Sequence, residues 1–447
     1  MSLPRSVSDW RSVLGPVQLP GSEYAELAAA LAQPPSPCIR LRPEVPVEIL
    51  PWRLDPVPWH DRGFFVRGDG NTPVRASEHV AYYAGCYYIQ DAASLLPVRL
   101  AEVQPDMLVC DLCAAPGGKA TAILEELRQG WLLANETIRS RLAPLLFNLA
   151  RHGMARYLVS SCDPADLSHL LEGQFDLVLV DAPCSGQSLV SRGKQAHTAF
   201  SDTTIRFCAA REARILNQAS RLVRTGGCLV YATCTLSYAE NEALIEAFVK
   251  ENPEWRLEPC VALEAWQSPV LEGAYRIWPH REGCGSAFAA RLRLVGNRRA
   301  APAPAARNIA PRPTQLTALP CDWREWGSPR FSNFIWEKDW QLFALPEEPP
   351  AWWGIVRCGP EFAFRKGETW FPAYGLAMRR DGWWRPIRYL VCEEEQARRF
   401  LAGQPVACAE RGWTLAVWNG QPLGWAKSDG RLAKSHVPKA GRWHRSG

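Results

Sequence analysis

Between positions 107 and 295, short apolar runs alternate with amphipathic stretches. Met107-Leu108-Val109-Cys110 reads as a buried strand, and the helical pattern after it gathers Ala122, Ile123, Leu124 and Leu127 on one face. A second strand over 131–135 ends at Glu136, and 141–151 is amphipathic, with Leu142, Leu145, Leu146 and Leu149 together. A third strand over 156–160 ends at Asp163, and a fourth over 175–180 runs into Asp181-Ala182-Pro183-Cys184-Ser185-Gly186. The pattern then predicts a long helix over 205–223 ending at Gly226-Gly227, and a fifth strand over 228–232 followed by Thr233-Cys234-Thr235. A helix over 240–250 and a closing strand over 287–295 complete it. Strands alternating with helices predict an α/β fold whose parallel sheet is covered on both faces. Ligands bind such sheets at the carboxyl ends of the strands. Cys113, Glu136, Asp163, Asp181, Cys184 and Cys234 all fall at those ends.

The flanks differ. Residues 1–100 form a mixed lead-in, with a short helix over 24–31, a proline-rich and extended stretch over 34–51, and a basic surface from Arg5, Arg11, Arg40, Arg42 and Arg53. Residues 87–95 lead into a helix ahead of the first strand of the unit at 101–296. Residues 297–320, rich in Ala, Pro and Arg, read as a linker. Beyond it, 321–447 holds 13 of the 20 tryptophans. From Arg411 to the end, seven Lys/Arg face one acid, Asp429. Basic residues interleaved with Trp413, Trp418, Trp425 and Trp443 suit phosphate contacts and base stacking. They equally suit a protein-contact surface whose tryptophans are mostly core.

Net charge is only +5 over 447 residues, so bulk charge identifies no nucleic-acid binder. The first twelve residues lack the apolar segment of a signal peptide, and no apolar run is long enough to span a membrane. The 15 cysteines, an odd number, are therefore expected as free thiols in a reducing, cytoplasmic compartment. Packing accounts for Cys86, Cys110, Cys208, Cys228 and Cys260.

The turn Cys113-Ala114-Ala115-Pro116-Gly117-Gly118-Lys119 carries the first chemistry. Its glycines let a ligand approach the backbone, and the helix that starts there offers unpaired N–H groups to an anionic or zwitterionic ligand. It is neither a GxGxxG fingerprint nor a P-loop. Glu136, 19 residues after Gly117, can accept hydrogen bonds from both ribose hydroxyls of a nucleoside, and Asp163 from an adenine amino group. From spacing alone, ordinary loop acids explain both equally well. If they do bind, S-adenosylmethionine fits better than NAD, because the turn need hold no pyrophosphate. Asp181, Cys184 and Cys234 put a carboxylate and two thiols on neighbouring strand ends. A thiolate that adds to carbon 6 of cytosine makes carbon 5 nucleophilic, and a carboxylate near ring nitrogen 3 stabilises the adduct. On the residues alone, packing and catalysis both stay open for Cys184 and Cys234.

Four stretches together resemble the RNA (cytosine-5) methyltransferase family: Asp111 to Lys119, Ala134-Asn135-Glu136, Asp181 to Gly186, and Tyr231 to Leu236 with Glu240-Asn241-Glu242. Order and spacing agree over residues 85–295. Gly420 to Lys427 with Pro438-Lys439 resembles the C-terminal RNA-binding region of the bacterial small-subunit rRNA methyltransferase F branch. The resemblance implies a Rossmann-like, S-adenosylmethionine-dependent methyltransferase core with a parallel-rich sheet, an N-terminal α/β lead-in that binds RNA and a β-rich, PUA-like RNA-binding C-terminal region. It implies that the cofactor is held by Cys113 to Lys119, Glu136, Asp163 and Asp181, with Lys119 near the base or the methionine end. It makes Cys234 the nucleophile and gives Cys184 a part in product release.

Three places depart from the pattern: Ala120, where the family has threonine and Thr121 can substitute, residues 187–194, and Gly283 to Ser286. They leave small-subunit rRNA as the first expected substrate and tRNA as the alternative, with a non-catalytic RNA-binding assembly factor as a third reading. Neither a metal nor a membrane is expected, and the oligomeric state is not readable.

Overall fold

The computed structural model describes residues 4, 6–68, 74–296, 316, 319–320, 322–329, 334–352 and 355–443. Arg5, Arg445 and nearly all of the expected linker lie outside the described residues.

Five strands form the parallel heart of the molecule in the order Val223–Thr233, Phe175–Asp181, Leu108–Asp111, Trp131–Asn135, Tyr157–Ser160. Their side chains are almost wholly buried on both faces, which is why they read as continuous apolar runs rather than alternating ones. Helices Gly118–Glu126, Leu142–His152, Pro164–Leu170 and Asp202–Leu222 connect them. Ala287–Leu294 runs antiparallel beside Val223–Thr233, and Trp255–Leu257 and Ala274–Ile277 both pair with it. At the opposite edge, Val356–Cys358 from the C-terminal region runs antiparallel to Tyr157–Ser160. A single apolar cluster accordingly joins Leu158 and Val178 of the sheet to Trp336, Phe343 and Trp352.

The long helix stops at Leu222, four residues before the expected glycines. Val223 is already extended and pairs with Phe175, and Gly226 and Gly227 lie in a bulge where the register jumps before Cys228 meets Leu177. Gly226 takes a φ of +75°, and a Cβ on Gly227 would come within 2.8 Å of the Asp176 carbonyl. The glycines therefore serve a kink inside one strand rather than a helix end.

The N-terminal region builds a four-stranded antiparallel sheet in the order Arg53–Pro56, Gly63–Arg67, Cys38–Leu41, Tyr87–Ile89. The stretch read as extended thus contains a paired strand. Arg40 and Arg42 are not surface groups, being 1 % and 3 % exposed. Arg40 donates to Glu125 (3.0 and 3.2 Å), to Thr121 Oγ1 (2.8 Å) and to the Gly118 carbonyl (2.7 Å), whereas Arg42 donates to the His152 carbonyl. Both tie this sheet to the helices that flank the glycine turn.

The C-terminal region contains mostly antiparallel sheets, the last ordered Tyr389–Val391, Arg411–Trp418, Gln421–Asp429, Leu432–Ser435, Val406–Ala407, with only its first pair parallel. Trp413, Trp418 and Trp425 are buried in its cores, and Trp425 donates to the Ala373 carbonyl at 3.0 Å. The expectation that they stack on bases is corrected: their rings are packing groups. Trp443 is half-buried and stacks on Tyr83 of the N-terminal region at 5.3 Å. The basic side chains of Arg411, Lys427, Arg431, Lys434 and Lys439 do face solvent. Tyr374 stacks on Phe147 of helix Leu142–His152 at 5.7 Å, 5° from parallel, which docks this region beside the turn.

Candidate functional site

The glycine turn is held from four sides. Ala114 N–H donates to the Asn135 carbonyl at 2.8 Å, Arg141 to the Ala115 carbonyl at 2.6 Å and Asn148 to the Pro116 carbonyl at 2.8 Å. Thr121 donates back to the Gly117 carbonyl at 2.7 Å while receiving Arg40. Gly117, with a φ of +111°, occupies the left-handed region that a side chain would strain. The peptide before Pro116 is cis.

A cavity of about 620 Å³ opens over this turn, at the carboxyl ends of the strands, within the range of small-molecule sites. It is lined by Cys113, Ala115, Pro116, Lys119, Glu136, Asp163, Asp181, Cys184 and Cys234, so one site gathers residues that span 122 positions of sequence, from 113 to 234. Register explains the gathering: Asp181 lies opposite Ala232 in parallel strands, which sets the loops after them side by side.

At the outer end, Glu136 Oε1 accepts from Ile138 N–H at 2.8 Å, while Oε2 is buried with no hydrogen bond and has Arg141 Nη1 at 3.3 Å. A buried acceptor left open towards a cavity suits the hydroxyls of a ribose. Asp163 spends Oδ1 as the N-cap of helix Pro164–Leu170, accepting from Ala165 N–H at 2.9 Å. The Glu136→Ala variant is expected to weaken S-adenosylmethionine about 10- to 100-fold, since a hydrogen bond to a charged acceptor is worth about 1.5–3 kcal/mol. Titration calorimetry measures this, and an unchanged Kd would remove Glu136 from the cofactor.

At the inner end, Lys119 Nζ lies 2.6 Å from Asp181 Oδ2. Burial works against the charge on Lys119, but the combined pull of Asp181, Asp111 and Cys234 outweighs it and raises its pKa, so the ammonium persists. Cys184 Sγ and Cys234 Sγ are 3.4 Å apart. The hydrogen bond to Cys234, together with burial, holds the Cys184 thiol well above its ordinary range. Around them, Ser188 N–H (3.3 Å) and Ser286 Oγ (2.9 Å) donate to the Cys234 carbonyl, and Arg211 donates to the Pro183 carbonyl. Residues 187–194, one of the departures, form the 3-10 segment Gln187–Arg192, in which Gln187 accepts from Leu236 N–H at 3.0 Å and Arg192 pairs with Asp91.

Asp111 was not singled out from sequence, although it opens the quoted motif. It is 1 % exposed, and neither oxygen accepts a well-aligned hydrogen bond. Burial, then the neighbouring Asp181 charge, push it up to about 7, with only partial compensation from Lys119 and the Cys113 N–H. Arg141 and Arg211 likewise belong to the lining and carried no sequence signal beyond their charge.

Comparison with known proteins follows the same outline. A family model described as 16S rRNA methyltransferase RsmB/F matches residues 98–293. Models described as the N-terminal domain of 16S rRNA methyltransferase RsmF and as the methyltransferase RsmF PUA domain match 17–92 and 390–443. Ribosomal RNA small subunit methyltransferase F of Erwinia tasmaniensis is 30 % identical over 413 residues, covering 88 % of this chain and 86 % of that one. The protein of the same name from Klebsiella pneumoniae is 28 % identical over 415 residues, covering 87 % and 84 %. Among solved structures, a methyltransferase homolog protein from Pyrococcus horikoshii superimposes with a TM-score of 0.54 at 25 % identity, covering 64 % of this chain and 93 % of that one. NSun6 from the same organism, with SFG, shares the fold at a TM-score of 0.57 and 20 % identity, covering 66 % and 99 %.

Proposed function

The chain belongs to the 16S rRNA methyltransferase RsmB/F family, and from that premise we propose that its cavity methylates carbon 5 of a cytosine in small-subunit ribosomal RNA through a covalent adduct with Cys234. The observation that carries this reading is the thiol pair, 3.4 Å apart, in the same cavity as the Lys119–Asp181 ion pair and the open acceptor of Glu136.

S-adenosylmethionine, held by Cys113 to Lys119, Glu136, Asp163 and Asp181, supplies the methyl group. The chain's own residues prepare the base. Cys234 Sγ adds to carbon 6, and the electron pair displaced from the ring double bond makes carbon 5 nucleophilic. The negative charge that develops at nitrogen 3 is neutralised by a proton that passes from the Lys119 ammonium through the Asp181 carboxyl to nitrogen 3, leaving Lys119 neutral until it is reprotonated when the base is released. Cys184 starts as a thiol because the sulfur of Cys234 accepts its hydrogen bond. Once that sulfur is bonded to carbon 6 it no longer holds the Cys184 proton, which is lost to solvent more easily. The Cys184 thiolate then takes the proton from carbon 5. The electron pair restores the carbon 5–carbon 6 double bond, and Cys234 leaves as thiolate.

The exposed Arg411, Lys427, Arg431, Lys434 and Lys439 supply phosphate contacts at the C-terminal region, and the tryptophans beneath support their strands. The substrate places the enzyme in the cytoplasm; among the described residues no helix is long and apolar enough to cross a membrane. The test uses purified protein and labelled S-adenosylmethionine with small ribosomal subunits, naked rRNA and bulk tRNA. The expected result is 5-methylcytosine at one position of subunit or rRNA. Label confined to tRNA would replace the substrate, and no label in any RNA would overturn the reading.

A further inference from the structure

The mechanism leaves one buried acid unused. Glu212, on the inner face of helix Asp202–Leu222, has no exposed surface, and neither of its oxygens receives a well-aligned hydrogen bond among the described residues, the Tyr231 hydroxyl beside it being turned to the Glu240 carbonyl. It packs against Glu240, also fully buried, at the end of the turn Tyr238–Glu240. Glu240 is well supplied. It accepts from Ser185 N–H and Ser185 Oγ, both at 2.7 Å, and from Thr235 Oγ1 at 3.5 Å, and those two hydroxyls lie 2.8 Å from each other. Ser185 follows Cys184 and Thr235 follows Cys234, so Glu240 ties the two thiol-bearing loops together from outside both.

Two buried carboxyl groups in contact cannot both ionise. Burial raises both, but of the two only Glu240 has aligned donors, from Ser185 and Thr235, so it is the one that carries the charge. Glu212 is then satisfied by keeping its proton and donating it to Glu240, its nearest acceptor carboxylate. We propose that Glu212 is a neutral positioning residue whose carboxyl hydrogen bond to Glu240 completes the clamp that holds the Cys184 and Cys234 loops in register. The proposal rests on the reading of those two cysteines as the reacting pair.

The surroundings agree. Burial first, then Glu240, push Glu212 up to about 10. The groups that face it are Glu240 from the turn, Cys184 from the loop after Phe175–Asp181 and the Tyr231 hydroxyl from the adjoining strand; the Tyr231 O–H also donates to the Glu240 carbonyl at 2.8 Å. On its own helix, Cys208 is near, and the Arg211 guanidinium turns away to the Pro183 carbonyl. Ionisation of Glu212 would set a second negative charge against Glu240 and open the clamp. A glutamine there supplies a neutral N–H donor of the same shape and does not titrate.

The test compares wild type, Glu212→Gln and Glu212→Ala in single-turnover methylation of small-subunit rRNA from pH 6.5 to 10, with S-adenosylmethionine affinity measured in parallel. Glu212→Gln is expected to stay within about twofold of wild type near neutrality and to carry its rate to higher pH. Glu212→Ala is expected to lose about tenfold or more in rate, with cofactor affinity unchanged. A glutamine variant as impaired as alanine, an alkaline limb unmoved by glutamine, or an alanine variant at wild-type rate each overturns the proposal. A wild type that forms no adduct with 5-fluorocytosine RNA instead overturns the cysteine reading beneath it, so the two failures are told apart.

Discussion

The Cys184→Ala variant is expected to accumulate a covalent RNA–protein species that survives denaturing electrophoresis, while Cys234→Ala forms none. The asymmetry follows from the thiol pair. In the proposed mechanism Cys234 makes the bond to carbon 6, so without it no adduct should exist and methylation should fall on the order of 10³-fold or more. With Cys184 absent the bond still forms and the methyl still arrives, but carbon 5 keeps its proton and Cys234 cannot leave. Because the two sulfurs are hydrogen-bonded across 3.4 Å, the loss of Cys184 is also expected to slow attack somewhat. The diagnostic is therefore the ratio of trapped to released product, not the initial rate. A stable adduct in Cys234→Ala would reverse the assignment of the two sulfurs.

The second large effect lies away from the chemistry. Arg40→Ala is expected to destabilise the protein by about 3–5 kcal/mol, the usual cost of removing one partner of a buried ion pair and leaving the other charge uncompensated. Glu125 would be that charge. Burial alone would raise its pKa, yet Arg40 and then His152 hold it down to about 2. A carboxylate depressed in the folded state contributes stability that is present above its unfolded value, about 4.3, and is lost as pH falls towards 2. His152, held near 3 mainly by burial, acts in the same direction: between about 6.5 and 3 the unfolded chain binds a proton that the folded chain refuses. Wild type should thus lose stability steadily on acidification below about pH 6.5. Arg40→Ala should start lower and lose the share that belongs to Glu125. Urea denaturation at pH 7 and pH 4 measures both, and a change below about 1 kcal/mol at pH 7 would rule out the buried-pair account. Since Arg40 also donates to the Gly118 carbonyl and to Thr121, weaker cofactor binding should accompany the lost stability.

What sequence could and could not show divides along physical lines. The parallel strands were legible because burial on both faces leaves unbroken apolar runs, and the site because such strands end together on one side. Arg40 was misread because its partner Glu125 lies 85 positions away, and a charge in a short strand looks solvated until its partner is known. The strand Val223–Thr233 begins five residues before the 228 expected from sequence, since glycine pairs mark helix ends and strand bulges alike. Trp413, Trp418 and Trp425 stayed open between stacking platform and core, because aromatic residues beside lysines have the same composition whether the rings face bases or the core. Asp111, Glu212 and Glu240 went unassigned for a related reason: what gives them a role is the absence or presence of a donor, which spacing does not record.

The antiparallel strand Val356–Cys358 has a consequence for how the molecule comes into being. The strand it covers, Tyr157–Ser160, is made roughly 200 residues earlier. During synthesis from the amino end, every part of the cavity therefore emerges while one border of its sheet is still bare, with the outward-facing backbone donors and acceptors of Tyr157–Ser160 unpaired. The order of assembly in time is thus not the order of the fold in space, and the catalytic sheet is the product of the whole translated chain rather than of the segment that carries its chemistry.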